Sequence, residues 1–161
     1  MFIEILSRTP LWVFFLFFVL LILGYVQSKN RTLSYGKVST LPMAMIVLSF
    51  YGVISAFGIA PIGLAFWMVG VAIAVGFSIK YAAPKGVTFS ARTRLFSIPG
   101  SWLPLALMMA IFFIKYMVGV VLARQLPMAN EATFIGSIGF CYGFFSGIFL
   151  ARAIFIFRCA T

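Results

Sequence analysis

Five stretches of almost uninterrupted apolar residues dominate this chain, and each is 17 to 25 residues long. A helix needs about 20 apolar residues to cross the hydrocarbon core of a bilayer. The stretches cover residues 10–27, 41–57, 61–80, 100–123 and 133–157. They are apolar on all sides, which favours lipid or a bundle centre over the surface of a soluble domain. We therefore predict an all-α membrane protein with five transmembrane helices, in a single domain over residues 1–161.

The composition excludes most other classes of protein. Hydrophobic residues make up 64% of the chain and charged residues only 9%, whereas a soluble domain has about 45–50% and about 25%. We therefore expect no nucleic-acid partner, although the net charge is +10. The chain has no His, and its two acidic residues are Glu4 and Glu131. Without a histidine base or a pair of buried carboxylates, we expect no enzyme activity, no metal and no cofactor.

The distribution of positive charge predicts the orientation in the membrane. Cytoplasmic loops carry an excess of lysine and arginine. Eight of the 12 basic residues lie in the connections after the first and third stretches and after the fifth; they are Lys29, Arg31, Lys37, Lys80, Lys85, Arg92, Arg94 and Arg158. The opposite side has Arg8 and Arg124, which Glu4 and Glu131 balance. We therefore predict an outside N-terminus and a cytoplasmic C-terminus, with the first stretch retained and not cleaved as a signal peptide.

Local signals predict where the helices begin and how two of them connect. Thr40 as a cap and Pro42 in the first turn predict that the second helix begins at about Leu41. Only three residues, 58–60, separate the second helix from the third, so we predict that these two helices form an antiparallel hairpin.

Residues 81–99 form the longest polar connection and lie between the third and fourth helices. Apolar and polar residues alternate from Val87 to Arg92, which predicts a short cytoplasmic β-hairpin with its bend at 91–93. An isolated hairpin is marginally stable in water and needs support from the bundle. The alternative is an interfacial segment that inserts Phe89, Leu95 and Phe96 into lipid.

Two positive charges, Lys115 and Arg152, lie inside predicted helices. A charge inside a membrane is costly and often functional. Arg152 lies about 28 Å from the start of its helix, at the cytoplasmic edge, where a long side chain can also snorkel to the headgroups. Lys115 lies about 22 Å into its helix, and snorkelling or ligand binding would each explain it. Both residues are candidates for binding an anionic ligand.

The fourth helix begins with two prolines and a glycine within residues 98–104. One interpretation is a helix start capped by Ser101, with Trp102 in the aromatic belt at the membrane surface. The other is unwound backbone whose free N–H groups bind an anion, with Arg92, Arg94 and Arg152 converging on it. The second interpretation makes Ser101 and Trp102 further candidate ligand-binding residues.

Small residues repeat every three or four positions along the fifth helix, at Gly136, Gly139, Gly143 and Gly147. Such a stripe lets two helix backbones approach closely in lipid. It predicts tight helix packing, and the neighbouring helix could belong to the same chain or to another one. The two cysteines, Cys141 and Cys159, are about 27 Å apart on one helix and cannot pair within the chain.

Four groups of residues are similar to those of a known family: residues 42–45 with 51–52, residues 99–105, residues 113–116, and residues 145–149 with Arg152. On these residues the chain resembles an uncharacterised family of small bacterial inner-membrane proteins. It implies a bacterial inner-membrane location and no particular mechanism.

Two functions remain open at this point. The first is binding or transport of an anionic or lipid-like ligand through the uncompensated positive charges. The second is a non-catalytic accessory or scaffold role, in which the glycine stripe packs against membrane partners. A redox relay through Cys141 is a weaker alternative. Besides membrane lipids, we expect a second copy of the chain as a partner, because five helices make only a small bundle and a two-fold dimer is the simplest oligomer.

Overall fold

The computed structural model describes residues 11–81 and 86–159. Five long helices and a small three-stranded sheet make up most of this part of the chain. The helices are α1 (Leu11–Gln27), α2 (Tyr35–Phe57), α3 (Pro61–Tyr81), α4 (Leu103–Ala123) and α5 (Ala132–Arg158). The strands are β1 (Arg31–Ser34), β2 (Thr88–Ser90) and β3 (Leu95–Ile98), and a 3₁₀ turn spans Pro127–Asn130.

The helices agree with the predicted apolar stretches except at two starts: α2 begins six residues earlier than predicted, and α4 begins at Leu103 and not at Gly100. By length and composition, α2, α3, α4 and α5 could each cross a membrane, and α1 is a shorter apolar helix. The predicted first stretch also includes Pro10, which lies outside the described residues, as do Glu4, Arg8 and Lys85 of the charge argument. The protein is therefore a helical membrane-type protein with four candidate spans and one shorter apolar helix.

The β-hairpin predicted between the third and fourth helices is confirmed. β2 and β3 pair antiparallel, with Phe89 opposite Phe96, and residues 91–94 form the turn. The sheet has a third strand that the sequence did not indicate, because β1 pairs with the other edge of β3. Phe96 and Ile98 of β3 are almost fully buried against the helix ends, where they contact Ala153 and Ile156 of α5. The bundle thus gives the hairpin the support that it would lack alone.

The sheet brings five helix ends together. Because β1 lies between α1 and α2 and β3 precedes α4, their pairing places the C-terminal end of α1 beside the beginnings of α2 and α4. The C-terminal end of α3 lies on the same side, because α3 runs in the same direction as α5. The end of α5 joins them through Ile156 and Phe157, which pack against the sheet. We call this end of the bundle the sheet end.

The start of α2 corrects a sequence prediction. The helix begins at Tyr35, six residues before the predicted start at Leu41, so Pro42 lies inside it. Thr40 is not a cap, because its hydroxyl donates a hydrogen bond to the Gly36 carbonyl one turn earlier (2.8 Å). Proline has no N–H to donate, which leaves the Val38 carbonyl without its usual partner in the helix. The helix continues because its N-terminal turns pack against the sheet through Val38.

The glycine stripe of α5 packs against α3 of the same chain. A Cβ added at Gly139 would overlap the Gly63 carbonyl, and one added at Gly143 would overlap the Trp67 carbonyl. One added at Gly147 would lie 2.8 Å from the Val71 carbonyl oxygen. Each step of four residues along α5 therefore matches a step of four along α3 in the same direction, so the two helices run parallel. The stripe is used inside the chain and is not a free surface for a partner.

The predicted hairpin of the second and third helices is also present. Gly58 forms the turn with a positive φ of 66°, which glycine adopts without strain. The Trp67 indole N–H on α3 donates to the Ser49 hydroxyl on α2 (3.1 Å), and the Trp67 and Phe50 rings meet edge to face. These contacts join α2 to α3 along the helices, away from the turn at Gly58.

Candidate functional site

A cavity with a volume of about 140 Å³ lies at the sheet end. Residues from α1, β1, α2, β3, α4 and α5 line it, so its shape depends on the whole fold. Its polar lining residues are Gln27, Arg31, Lys37 and Arg152. Its apolar lining residues are Leu33, Val38, Leu41, Pro42, Ile98, Pro104, Phe149, Ala153 and Ile156. We call it the sheet-end cavity.

The sheet-end cavity combines three cations with apolar walls. Among its described lining residues none is acidic. Glu131 precedes the first residue of α5, about 31 Å along that helix from Arg152, so it cannot neutralise this cluster. The charges of Arg31 and Arg152 act unfavourably on each other. Cations grouped in this way repel one another, and an anion bound among them would relieve that repulsion.

Arg31 is the residue most clearly short of a partner. Its Nη2 donates a hydrogen bond to Gln27 Oε1 (3.2 Å), but its buried Nε has no hydrogen-bond partner among the described residues. Burial lowers the pKa of the Arg31 guanidinium from its ordinary value. A guanidinium still keeps its charge at neutral pH. The site therefore holds a charged donor whose hydrogen-bonding capacity is only partly used by the protein.

Gln27 links three elements at the edge of the sheet-end cavity. The residue is only 6% exposed, and its side chain orients Arg31 at the start of β1. Its backbone carbonyl accepts a hydrogen bond from the Ser101 N–H (3.2 Å), which joins the end of α1 to the residues before α4. Gln27 thus positions the guanidinium and fixes the entry of α4 at the same time.

The backbone before α4 is not a free anion site. The Gly100 N–H donates to Asn30 Oδ1 (2.8 Å) and the Leu103 N–H donates to the Ser101 hydroxyl (3.3 Å). With the Ser101 N–H bonded to Gln27, these donors are occupied within the chain. The interpretation of unwound backbone with free N–H groups is therefore wrong for residues 100, 101 and 103. Trp102 lies outside the cavity, is 63% exposed, and packs edge to face on Tyr25.

The predicted convergence of the arginines is only partly present. Arg152 lines the sheet-end cavity. Arg92 and Arg94 are exposed in the turn between β2 and β3, and neither is among the lining residues. The reason is the third strand, since β1 places Arg31 at the position that the hairpin arginines were expected to fill.

Lys115 lies away from the sheet-end cavity. Its side chain crosses Gly52 of α2, where an added Cβ would be 3.0 Å from Lys115 Cε and 3.2 Å from the Tyr142 ring. Tyr142 precedes Arg152 by 10 residues, which is about 15 Å along α5. Lys115 therefore reaches across to α2 at the surface of the bundle, and its predicted role in ligand binding stays a prediction.

Sequence reasoning missed Arg31, Lys37 and Gln27 as site residues. It counted the two cations only as loop charges that orient the chain, and it treated Gln27 as the end of a span. The available signal was weak: a glutamine among apolar residues at a helix end, four residues before an arginine. Cys141 is half-buried, Cys159 is exposed, and both are free thiols.

The fold and the cavity define a multi-helix, membrane-type protein with a basic site at one end of the bundle. The model of the family of unknown function DUF6622 matches residues 1–161, and the chain belongs to this family. Neither a curated protein nor a solved structure matches the chain.

Proposed function

We propose that this protein is a non-catalytic membrane protein that binds an anionic group in the sheet-end cavity. The observation that carries the proposal is the grouping of Arg31, Lys37 and Arg152 around one small cavity with no acidic residue among its described lining residues. The Arg31 guanidinium is only partly hydrogen-bonded by the described residues, since its Nη2 bonds Gln27 and its buried Nε bonds none of them. Charge-assisted hydrogen bonds from guanidinium groups to phosphate or carboxylate are among the stronger polar contacts in proteins.

Binding is proposed here in preference to transport. The sheet-end cavity lies at one end of the bundle, and Lys115, the described cation within a helix towards the other end, is about 15 Å away beside Gly52. The alternative of a scaffold that uses the glycine stripe loses its basis, because α3 occupies that stripe. A two-fold dimer and a bacterial inner-membrane location stay predictions from the sequence.

Thermal unfolding in detergent at constant ionic strength tests the proposal. Inorganic phosphate, or a short-chain anionic phospholipid, should raise the melting temperature of the wild-type protein. At 100 times the dissociation constant the stabilisation is about 2.7 kcal/mol. Arg31→Gln and Arg152→Gln should lose this response. Without ligand, Arg152→Gln should melt at or above the wild-type temperature because it removes a repulsive charge. Arg31→Gln should melt lower, because it also removes the hydrogen bond to the buried Gln27 side chain.

The matched controls are Arg92→Gln and Arg94→Gln. They remove the same charge from exposed positions outside the cavity, so the ligand response should remain. A response that is absent from the wild type, or that persists when both Arg31 and Arg152 are replaced, would rule out an anion site in this cavity.

We also propose that all five helices cross the membrane, with the sheet end in the cytoplasm. The described basic residues at the sheet end include Lys29, Arg31, Lys37, Arg92 and Arg94, as the positive-inside rule requires. Cysteine labelling from either side of intact cells, in a background without Cys141 and Cys159, should find position 93 accessible only from the cytoplasm. Position 128, in the 3₁₀ turn, should be accessible only from outside. Labelling of both positions from the same side would contradict an odd number of crossings between them.

A further inference from the structure

The aromatic residues near the sheet-end cavity indicate the depth at which it lies. Tyr25 and Trp102 are exposed and their ring centroids are 6.5 Å apart. Lys29 Nζ lies 4.8 Å from the Tyr25 ring centroid. Exposed tyrosine and tryptophan beside a lysine are typical of the headgroup region. Tyr25 is two residues from Gln27, and Trp102 is two residues from Pro104, which is about 3 Å along each helix. The cavity therefore lies at headgroup depth.

The walls of the cavity favour an amphiphile over a free ion. Leu41 and Phe149 lie beside the cations, and Leu33 and Ile98 line the side towards the sheet. A hydrated inorganic anion would gain nothing from these apolar groups, whereas the ester and acyl carbons of a lipid would bury apolar area against them. An anionic group attached to a membrane lipid would contact the cations through its charge and the apolar lining residues through its hydrocarbon atoms.

The charge of the cavity restricts the headgroup further. The cavity, with about 140 Å³ and an open side, has room for one phosphate group. Three cations face this space. A phosphomonoester carries about −1.5 to −2 charges at pH 7, whereas a phosphodiester carries one. The more highly charged phosphomonoester is therefore the better match to three cations.

We infer that the sheet-end cavity selects the terminal phosphomonoester headgroup of a membrane lipid, held by Arg31, Lys37 and Arg152. The phosphate oxygens accept hydrogen bonds from the two guanidinium groups, since both arginines line the cavity. This inference rests on the proposed function and adds the class of ligand. Phosphatidate is the simplest lipid with such a headgroup.

Native mass spectrometry with lipids of identical acyl chains tests this inference. Phosphatidate should bind the wild-type protein at least about tenfold more tightly than phosphatidylglycerol, since one extra charge beside three cations at reduced dielectric supplies a factor of that order. Phosphatidylcholine should bind more weakly still. Arg152→Gln should reduce the preference for phosphatidate, and Arg94→Gln should leave it unchanged.

Lipid binding measured at pH 7.5 and at pH 5 distinguishes an effect of headgroup charge from an effect of headgroup size. The second proton of a phosphomonoester dissociates with a pKa of about 6, so at pH 5 phosphatidate has the charge of phosphatidylglycerol but keeps its smaller headgroup. The preference should therefore shrink towards pH 5, while phosphatidylglycerol binding stays constant. Guanidinium groups keep their charge over this range.

The possible outcomes are distinct. Equal binding of phosphatidate and phosphatidylglycerol at pH 7.5 would overturn the headgroup inference and leave the anion site intact. Inorganic phosphate that displaces phosphatidate at an equal concentration would show that the lipid part contributes nothing, and would assign the site to a soluble anion. No binding of phosphate or of any anionic lipid would overturn the proposed function itself.

Discussion

Gly143→Ala is expected to destabilise the protein, although alanine is the better helix former. In α5 the new methyl group would overlap the Trp67 carbonyl of α3. A backbone carbonyl cannot turn aside as a flexible side chain can, so the two helices must separate. Overpacking of this kind costs about 1–3 kcal/mol, and the loss of van der Waals contact along the stripe adds to it. Thermal unfolding in detergent would measure the effect.

Gly76→Ala is the matched control for this substitution. Gly76 lies in α3, and no atom of the described residues beyond its own stretch of helix lies within 4 Å of an added Cβ, so the same chemical change meets open space there. Alanine should be neutral or slightly stabilising there, because glycine is the poorer helix former by about 0.8–1.0 kcal/mol. Gly143→Ala and Gly76→Ala proteins that melt at the same temperature would show that α3 and α5 are not in backbone contact.

Gly100→Ala is expected to disrupt the sheet end. A Cβ at this position would overlap the Ser28 carbonyl, so the segment before α4 must move away from the end of α1. That movement strains the bond from the Gly100 N–H to Asn30 and the bond from the Ser101 N–H to Gln27. We expect a loss of about 1–3 kcal/mol in stability and a weaker response to phosphate, because Gln27 and Pro104 line the sheet-end cavity.

Gly36→Ala controls for the loss of a glycine at the sheet end. Gly36 lies in the first turn of α2, one residue before Lys37, and has open space around its Cα. Its replacement should change neither the melting temperature nor the phosphate response by a comparable amount. If Gly100→Ala instead behaves like Gly36→Ala in both measurements, the connection between α1 and α4 does not shape the cavity.

The helices were predictable because the bilayer allows few alternatives. In lipid every backbone polar group must be satisfied within the chain, so an apolar stretch of sufficient length forms a helix whatever its local propensities. This is why the ends of α3 and α5 match the prediction closely. The start of α2 did not, because Pro42 was interpreted as a helix start when packing of Val38 against the sheet extends the helix beyond it.

The hairpin was predictable from alternation, but the third strand was not. Residues 31–34 are too short and too polar for a pattern of period two to be visible. β1 forms because β3 presents an edge and because the Asn30 side chain and the Gln27 carbonyl bond the residues before α4. Such long-range pairing leaves no local signal in the sequence. Because β1 was not predicted, Arg31 was not recognised as a site residue, and most of the candidate site was missed.

The packing of the glycine stripe was also predictable only in part. Its spacing predicted close packing, and close packing is present. The partner could not be predicted, because α3 carries no matching run of glycines. Gly63 and Gly70 supply two of the close approaches, while Trp67 and Val71 contribute only their backbone carbonyls. A residue of any type can contribute its backbone carbonyl, so the sequence of α3 does not reveal such a contact.

The parallel pairing of α3 with α5 has a consequence for biosynthesis. Gly139 follows its partner Gly63 by 76 residues, and chains grow at about 5–20 residues per second. For several seconds α3 must therefore stay in the membrane with its closest contact surface covered only by lipid or by other proteins. Assembly of the bundle cannot be completed until α5 is inserted, so a chain that is interrupted within the connection after α4 would leave the first four helices without the element that joins them.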